Sequence, residues 1–146
     1  MKTKARWLLD TNVVSELARQ QPNAQVIHWL DKNMDESILS GATVGEIEYG
    51  LMRYPAGKKQ SQMRSWFERL SEQMGERIIG ADLAVWREYG RVRYALERIG
   101  RPQEDMDILI AATALTHRLT LVTRNTKHFS DTGCELFNPW GDSPAK

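Results

Sequence analysis

Arg6-Trp7-Leu8-Leu9-Asp10-Thr11-Asn12-Val13-Val14-Ser15-Glu16-Leu17 is the stretch on which the fold is read. A short apolar run ends abruptly at an acid, and the residues beyond it have room for one brief helix, at 13–18. The run reads as a buried strand, and Asp10 as the turn out of it, with a side chain able to cap the helix that follows. Similar short runs recur at 37–40, 77–80, 119–122 and 135–137. Strands this short, apolar on both faces and alternating with helices, predict an α/β fold: a central, mostly parallel sheet flanked by helices on both faces. In such folds sites form beyond the carboxyl ends of the strands. Asp10 and the turn Thr123-Arg124-Asn125 both fall at that edge.

The intervening segments carry helical spacing. Pro22 suits the first turn of a helix with Val26, Ile27, Trp29 and Leu30 as its apolar residues. Thr43 and Glu46 have the spacing of a capping box, ahead of Val44, Ile47, Leu51 and Tyr54. Tyr54-Pro55-Ala56-Gly57 breaks that helix, and Met63, Trp66, Phe67, Leu70 and Met74 stripe the next. Asp82 is placed to cap a helix carrying Trp86, Tyr89, Val92, Leu96 and Ile99, which Gly100-Arg101-Pro102 ends. Residues 105–117 are the most apolar helix, and residues 141–146 are expected to fray.

The 146 residues suit one domain, 1–146. A net charge of +1 rules out a nucleic-acid coat built on bulk charge, so any nucleic-acid contact must come from local clustering. Cys134 is the sole cysteine, which excludes an intrachain disulfide and a cysteine-based zinc site; His28, His117 and His128 lack ligand spacing. The first apolar run is too short for a signal peptide. No stretch approaches the ~20 apolar residues of a membrane span. These features predict a soluble, cytoplasmic protein without membrane contact.

Three acids stand out. Asp10 follows a strand directly, Glu46 opens a helix, and Asp107 opens the most apolar helix, sharing its face with Ile110, Ala111 and Ala114. Each has a purely structural reading: a cap for Asp10, half a capping box for Glu46, a complement to the helix dipole for Asp107. A shared site accounts for all three at once. Carboxylates gathered at one sheet edge without cationic partners repel, and a hard divalent cation, Mg²⁺ or Mn²⁺, removes that repulsion. Such an ion makes a bound water a better nucleophile and neutralises phosphate oxygens, which is the chemistry of phosphodiester hydrolysis. There is no Gly-rich phosphate loop.

At these residues the sequence resembles a known family. Residues 8–17 look like the opening of PIN-domain ribonucleases, most of all the VapC toxins of bacterial toxin–antitoxin pairs, including the FitB-like branch. Gly45-Glu46-Ile47-Glu48-Tyr49-Gly50 resembles that family's second motif. Asp107-Ile108-Leu109-Ile110-Ala111-Ala112-Thr113-Ala114 resembles its third. Leu121-Val122-Thr123-Arg124-Asn125-Thr126-Lys127-His128-Phe129 resembles its fourth, and Asn138-Pro139-Trp140 its usual ending. The match runs in order along nearly the whole chain. The resemblance implies a metal-dependent endoribonuclease with Asp10, Glu46 and Asp107 as metal-binding acids, supported through hydrogen bonds by Thr11, Asn12 and Thr123. It also implies a homodimer or a toxin–antitoxin hetero-oligomer, with a cognate antitoxin blocking the site. Many members carry Asp where Asn125 stands, and some where His128 stands. The resemblance therefore leaves one or two metals open, with Asp105 and Asp131 as substitutes that do not stand at the matching positions. Asn125 is expected to supply hydrogen bonds rather than charge.

Other residues are weighed against plainer roles. Glu48 reads as surface or a salt bridge. The five tryptophans suit core or subunit interface better than base stacking, and a lone His128 beside Phe129 suits a structural role better than a general base. Residues 82–101 carry five arginines against three acids. With Arg124 and Lys127 they offer contacts to RNA phosphates, or simply a solvated helix face. Met63, Trp66, Phe67 and Leu70 read as core rather than a partner groove. The expected mechanism is in-line attack of water on phosphorus, leaving a 5′-phosphate and a 3′-hydroxyl. The rival is an inactive PIN module acting with its antitoxin on operator DNA. A haloacid-type phosphatase fits poorly, because Asn12 stands where its strand motif needs a second acid.

Overall fold

In the computed structural model, which describes residues 4–141, five parallel strands lie side by side. They are β1 (Trp7–Leu9), β2 (Ser37–Ser40), β3 (Ile78–Ile79), β4 (Thr120–Val122) and β5 (Leu136–Phe137), in the order β3-β2-β1-β4-β5. Every pairing is parallel, with Leu8 opposite Ile38 on one side and Leu121 on the other. Seven helices connect and cover them: α1 (Thr11–Glu16), α2 (Ala24–Asn33), α3 (Gly41–Arg53), α4 (Lys58–Met74), α5 (Leu83–Arg98), α6 (Asp105–His117) and α7 (Thr126–Phe129).

Side chains alternate across a strand, so neighbouring leucines serve different cores. Leu9, Leu39 and Val122 pack with Val13, Val26, Leu30, Ile47 and Phe67 from α1 to α4. Leu8 and Leu121 pack instead with Ile110, Ala111 and Ala114 of α6 and Phe129 of α7. Helix α5 lies outside α6, joined through Val92, Leu96 and Ile108. The position of α6 between α5 and the sheet explains why it is apolar nearly all round. Trp7, Trp29 and Phe137 form an aromatic cluster with centroids 5.1–5.8 Å apart, and Trp66 and Trp140 pack against the same core. Trp86 departs from the core reading: it is 51% exposed on α5.

Three helix starts differ from expectation. The sequence places the first helix at 13–18, but α1 begins at Thr11, directly after its cap Asp10. Pro22 lies before α2, whose cap is Asn23, accepting from the N–H groups of Gln25 (2.9 Å) and Val26 (3.1 Å). Thr43 is not the cap of α3. The helix begins at Gly41, and the last residue of β2, Ser40, accepts from the Thr43 N–H through Oγ at 3.3 Å. With Ser40 in that place, Glu46 is freed from any capping box. Asp82 does cap α5, accepting from Val85 N–H at 3.0 Å. Of the tail expected to fray, residues 142–146 lie outside the described residues, while Gly141 donates its N–H to Asn138 O (3.1 Å).

Phe67 and Leu70 are buried as expected. Met63 and Trp66 are only half-buried and flank a groove with Leu17 and Ala18. Glu48 pairs with Arg64 at 3.0 Å. Much of the basic charge of 82–101 is satisfied on the surface, by Arg91–Glu88, Arg93–Glu97 and Arg101–Asp131.

Candidate functional site

The β1–β4 ladder continues one residue past β1, where Asp10 N–H donates to Val122 O at 2.9 Å. This fixes the Asp10 backbone at the carboxyl edge of the sheet, next to the end of β4. Asp10 is only 6% exposed. Oδ1 accepts from Thr11 N–H and Oδ2 from the Thr123 hydroxyl, each at 2.8 Å. Asp10 is thus both the cap of α1 and a buried acid. Burial pushes its carboxyl above the ordinary value near 3.8, the two hydrogen bonds oppose that rise, and the charges of Asp107 and Glu46 add to it. The three acids singled out in the sequence therefore share one electrostatic neighbourhood, although they lie on three different elements.

Thr123 is the hub of the site. Its hydroxyl donates to Asp10 and accepts from Asn125 N–H (3.0 Å) and, at the 3.5 Å limit, from Asn12 Nδ2. The Asn12 side-chain oxygen in turn accepts from Arg124 N–H at 3.3 Å. These bonds tie the α1 start to the turn after β4. Thr11 reaches the other way. Its hydroxyl donates to Glu46 Oε1 and stands 3.3 Å from Thr43 Oγ1. Glu46, on the second turn of α3, is half-buried and faces α1.

Asp107 sits in the first turn of α6, where the helix dipole favours an acid. Its Oδ2 lies 2.9 Å from His128 Nε2. This corrects two expectations: one acid does have a partner capable of positive charge, and His128 is engaged at the site rather than merely packed on Phe129. No sequence spacing points to that pair, because 21 residues separate its members. Asp105 and Asp131 are not substitutes for missing acids: Asp105 accepts from Tyr89 OH at 2.6 Å, and Asp131 pairs with Arg101.

Asn125 is exposed, and its backbone N–H serves Thr123. Among the described residues its side chain makes no hydrogen bond, so the support expected from that side chain is not seen, and only its backbone N–H reaches the site. Arg124 is exposed at the same edge with its guanidinium 5.0 Å from the Trp140 ring centre, and Lys127 is exposed on α7.

Among the described residues no Lys or Arg pairs with Asp10, Glu46 or Asp107, and no three His, Cys, Asp or Glu groups are drawn together tightly enough to form a ready-made metal cage. The second fact fits repulsion among the acids. Each outer acid is held by a neighbour of its own, Glu46 by Thr11 and Asp107 by His128, while Asp10 is buried with two hydrogen bonds and no cationic partner. A hard oxygen set with a buried, destabilised carboxylate suits a divalent cation, which would remove the strain that burial and like charge impose.

A family model described as the PIN domain matches residues 7–133. The chain belongs to the PIN-domain family. This PIN-domain chain is 39% identical over 140 residues to the toxin FitB of Neisseria gonorrhoeae, covering 92% of this chain and 99% of that protein. It is 35% identical over 135 residues to the VapC ribonuclease Y4jK of Sinorhizobium fredii, covering 91% and 96%. A solved structure of FitAB bound to an IR36 DNA fragment superposes with a TM-score of 0.87 at 34% identity, over 96% of this chain and 99% of that one. The expected fold and family resemblance are borne out. No helix among the described residues is long and apolar enough to cross a membrane.

Proposed function

We propose that this PIN-domain protein is the toxin of a toxin–antitoxin pair, a cytoplasmic, divalent-metal-dependent endoribonuclease that hydrolyses RNA phosphodiester bonds. The observation that carries the reading is the buried Asp10, destabilised by its surroundings and by Asp107 and Glu46, at the sheet edge of a chain that is similar to VapC ribonucleases. Asp10 and Asp107 would hold the metal, Mg²⁺ or Mn²⁺, and Glu46 would hold it or orient the attacking water. The ion supplies a Lewis acid for the phosphodiester oxygens and for water.

The chain's own residues do the rest. Thr123 and Thr11 N–H lock the Asp10 carboxylate in one orientation, and Asn12 braces Thr123. Thr11 holds one carboxylate oxygen of Glu46, and the other would accept a proton from water as it attacks phosphorus. In-line displacement leaves a 5′-phosphate and a 3′-hydroxyl. Arg124 and Lys127, exposed beside the acids, meet the phosphates on either side of the scissile bond. The protein acts as a homodimer or a toxin–antitoxin hetero-oligomer, and exposed Leu83, Trp86 and Tyr94 on α5 supply apolar surface for such contacts.

The test is cleavage-site mapping of total RNA after brief induction, beside Asp10→Asn. Metal-dependent cuts lost in a folded variant are expected; full toxicity retained by that variant would overturn the reading. A second reading is favoured by the DNA in the FitAB structure: with its antitoxin, the chain binds operator DNA. A mobility shift with the complex, and none with this chain alone, is the expected result.

A further inference from the structure

Helix α2 and the edge strand β5 leave a groove of 710 Å³ between them, within the range of small-ligand pockets. Gln25, His28, Trp29 and Lys32 line it from one face of α2. Phe137 and Asn138 line it from β5 and the turn that follows, and Thr126 from the start of α7. No acid lines it. The aromatic wall is fixed before any ligand arrives: Trp29 stands edge-on to Trp7 at 5.1 Å and 79°, and 5.3 Å from Phe137. At the closing turn the Gln25 amide lies against Gly141, whose φ is 91° and where a Cβ would stand 3.0 Å from Gln25 Nε2.

Charge and continuity say what the groove takes. His28 and Lys32 are exposed one helical turn apart, about 6 Å along the axis, and among the described residues Lys32 pairs with no acid. The turn after β4 joins this groove to the acids. Thr123 donates to Asp10, and three residues on Thr126 lines the groove. Arg124, within that turn, lies over the ring of Trp140, the neighbour of Pro139 in the groove wall. Aromatic side chains beside cations are what hold single-stranded nucleic acid, by stacking bases and meeting phosphates. A base still paired in a duplex has no face to offer such a pocket.

We propose that the α2–β5 groove is a subsite for single-stranded RNA, holding an unpaired nucleotide away from the scissile bond. Its base sits against Trp29 and Phe137, its phosphate meets Lys32 and His28, and the Gln25 amide faces the base edge. The proposal rests on the ribonuclease reading above and adds where the strand runs beyond the acids. Lys32 also has a plainer role, as the cation in the last turn of α2, and the test separates the two.

The test uses the full chain carrying Asp10→Asn, so that RNA stays intact, and a randomised 12-nucleotide RNA pool containing 4-thiouridine. Photocrosslinks mapped by mass spectrometry should fall on the peptides holding residues 25–32 and 136–139. Adding Lys32→Ala should weaken binding about fivefold at 0.1 M salt and lower the slope of log K against log salt by about 0.7, the share of one phosphate contact on a single strand. Arg69→Ala, an exposed cation on α4, should leave the slope unchanged. Crosslinks confined to other surfaces overturn the proposal. So does a Lys32→Ala variant that melts lower with an unchanged slope, which would leave Lys32 only its helix role, and so do equal falls in slope for Lys32→Ala and Arg69→Ala. Unlabelled duplex DNA that displaces the crosslinks as well as single-stranded RNA does also overturns it. Cleavage by the wild-type chain is scored separately. Crosslinks in the groove without cleavage overturn the ribonuclease reading and leave the groove an RNA site; cleavage with crosslinks only elsewhere does the reverse.

Discussion

Replacing Asp10 by Asn keeps the shape of the side chain and removes its charge, and the structure sets the sign of the result. The carboxylate accepts two bonds, from Thr11 N–H and from the Thr123 hydroxyl, both at 2.8 Å. An amide has one oxygen, so one bond is lost. If the oxygen keeps Thr11, the amide nitrogen faces a Thr123 oxygen already accepting from Asn125 and, weakly, from Asn12. The bond lost is worth ~0.5–1.5 kcal/mol where the acid is protonated and ~1.5–3 kcal/mol where it is ionised. Against it stands removal of a buried charge that Asp107 and Glu46 both oppose.

These two contributions separate with pH. The folded carboxyl lies above its ordinary value near 3.8, so its protonation stabilises the metal-free fold. That stability is fully present below the unfolded value and is lost as pH rises through the folded one. In chelator, Asp10→Asn should therefore melt higher than wild type at neutral pH. Below the ordinary carboxylate range the order reverses, leaving only the lost hydrogen bond, about 2–4 °C for each kcal/mol in a domain near this size. Circular dichroism melts stepped from neutral to acid pH are the assay. A variant that melts lower at every pH by a constant margin would refute the idea that Asp10 is a strained charge.

Three further outcomes are expected. Mn²⁺ at a hundredfold excess over its Kd should add ~2.7 kcal/mol to folding stability, and the rise in melting temperature should shrink in Asp107→Asn; equal rises would place the ion elsewhere. Asn125→Ala should lose no more than ~0.5–1.5 kcal/mol of transition-state stabilisation in single-turnover cleavage, far less than Asp107→Asn, and equal losses would make Asn125 a core member of the site. Phe129→Ala should destabilise by ~3–5 kcal/mol as a core cavity, measured by urea melts, and a midpoint unchanged from wild type would refute its role as the anchor of α7.

Much of the fold is legible in the sequence because a parallel sheet leaves a strong mark: short runs apolar on both faces, such as 37–40 and 119–122, have no other economical reading. The strand-end acids follow from the same logic. What the sequence leaves open is local. The capping box read at Thr43 and Glu46 does not form, because the β2 hydrogen bonds carry the strand to Ser40, α3 starts at Gly41, and Ser40 Oγ takes the Thr43 N–H. His128 escapes a sequence reading for a different reason. Its helix, α7, has four residues and no periodicity to read, and its partner is brought close only by the packing of α6 and Phe129 against the sheet.

The arrangement also explains why the acids stay unpaired by Lys or Arg. A cation fixed beside Asp10 would relieve its burial and stabilise the fold, but it would occupy the place proposed for the metal. The chain compensates in ways a metal can displace or share: backbone N–H from Thr11 and hydroxyl from Thr123 at Asp10, a hydroxyl from Thr11 at Glu46, the α6 dipole and an imidazole at Asp107. None of these cancels a full charge at Asp10, so some destabilisation is left in the folded state, and on the proposed reading this remainder would favour binding of a divalent ion. The core on each side of the sheet must carry that burden. Leu8, Leu9, Leu121 and Val122, all but fully buried on the two strands that flank the site, hold Asp10 and Thr123 in register while the charges push apart.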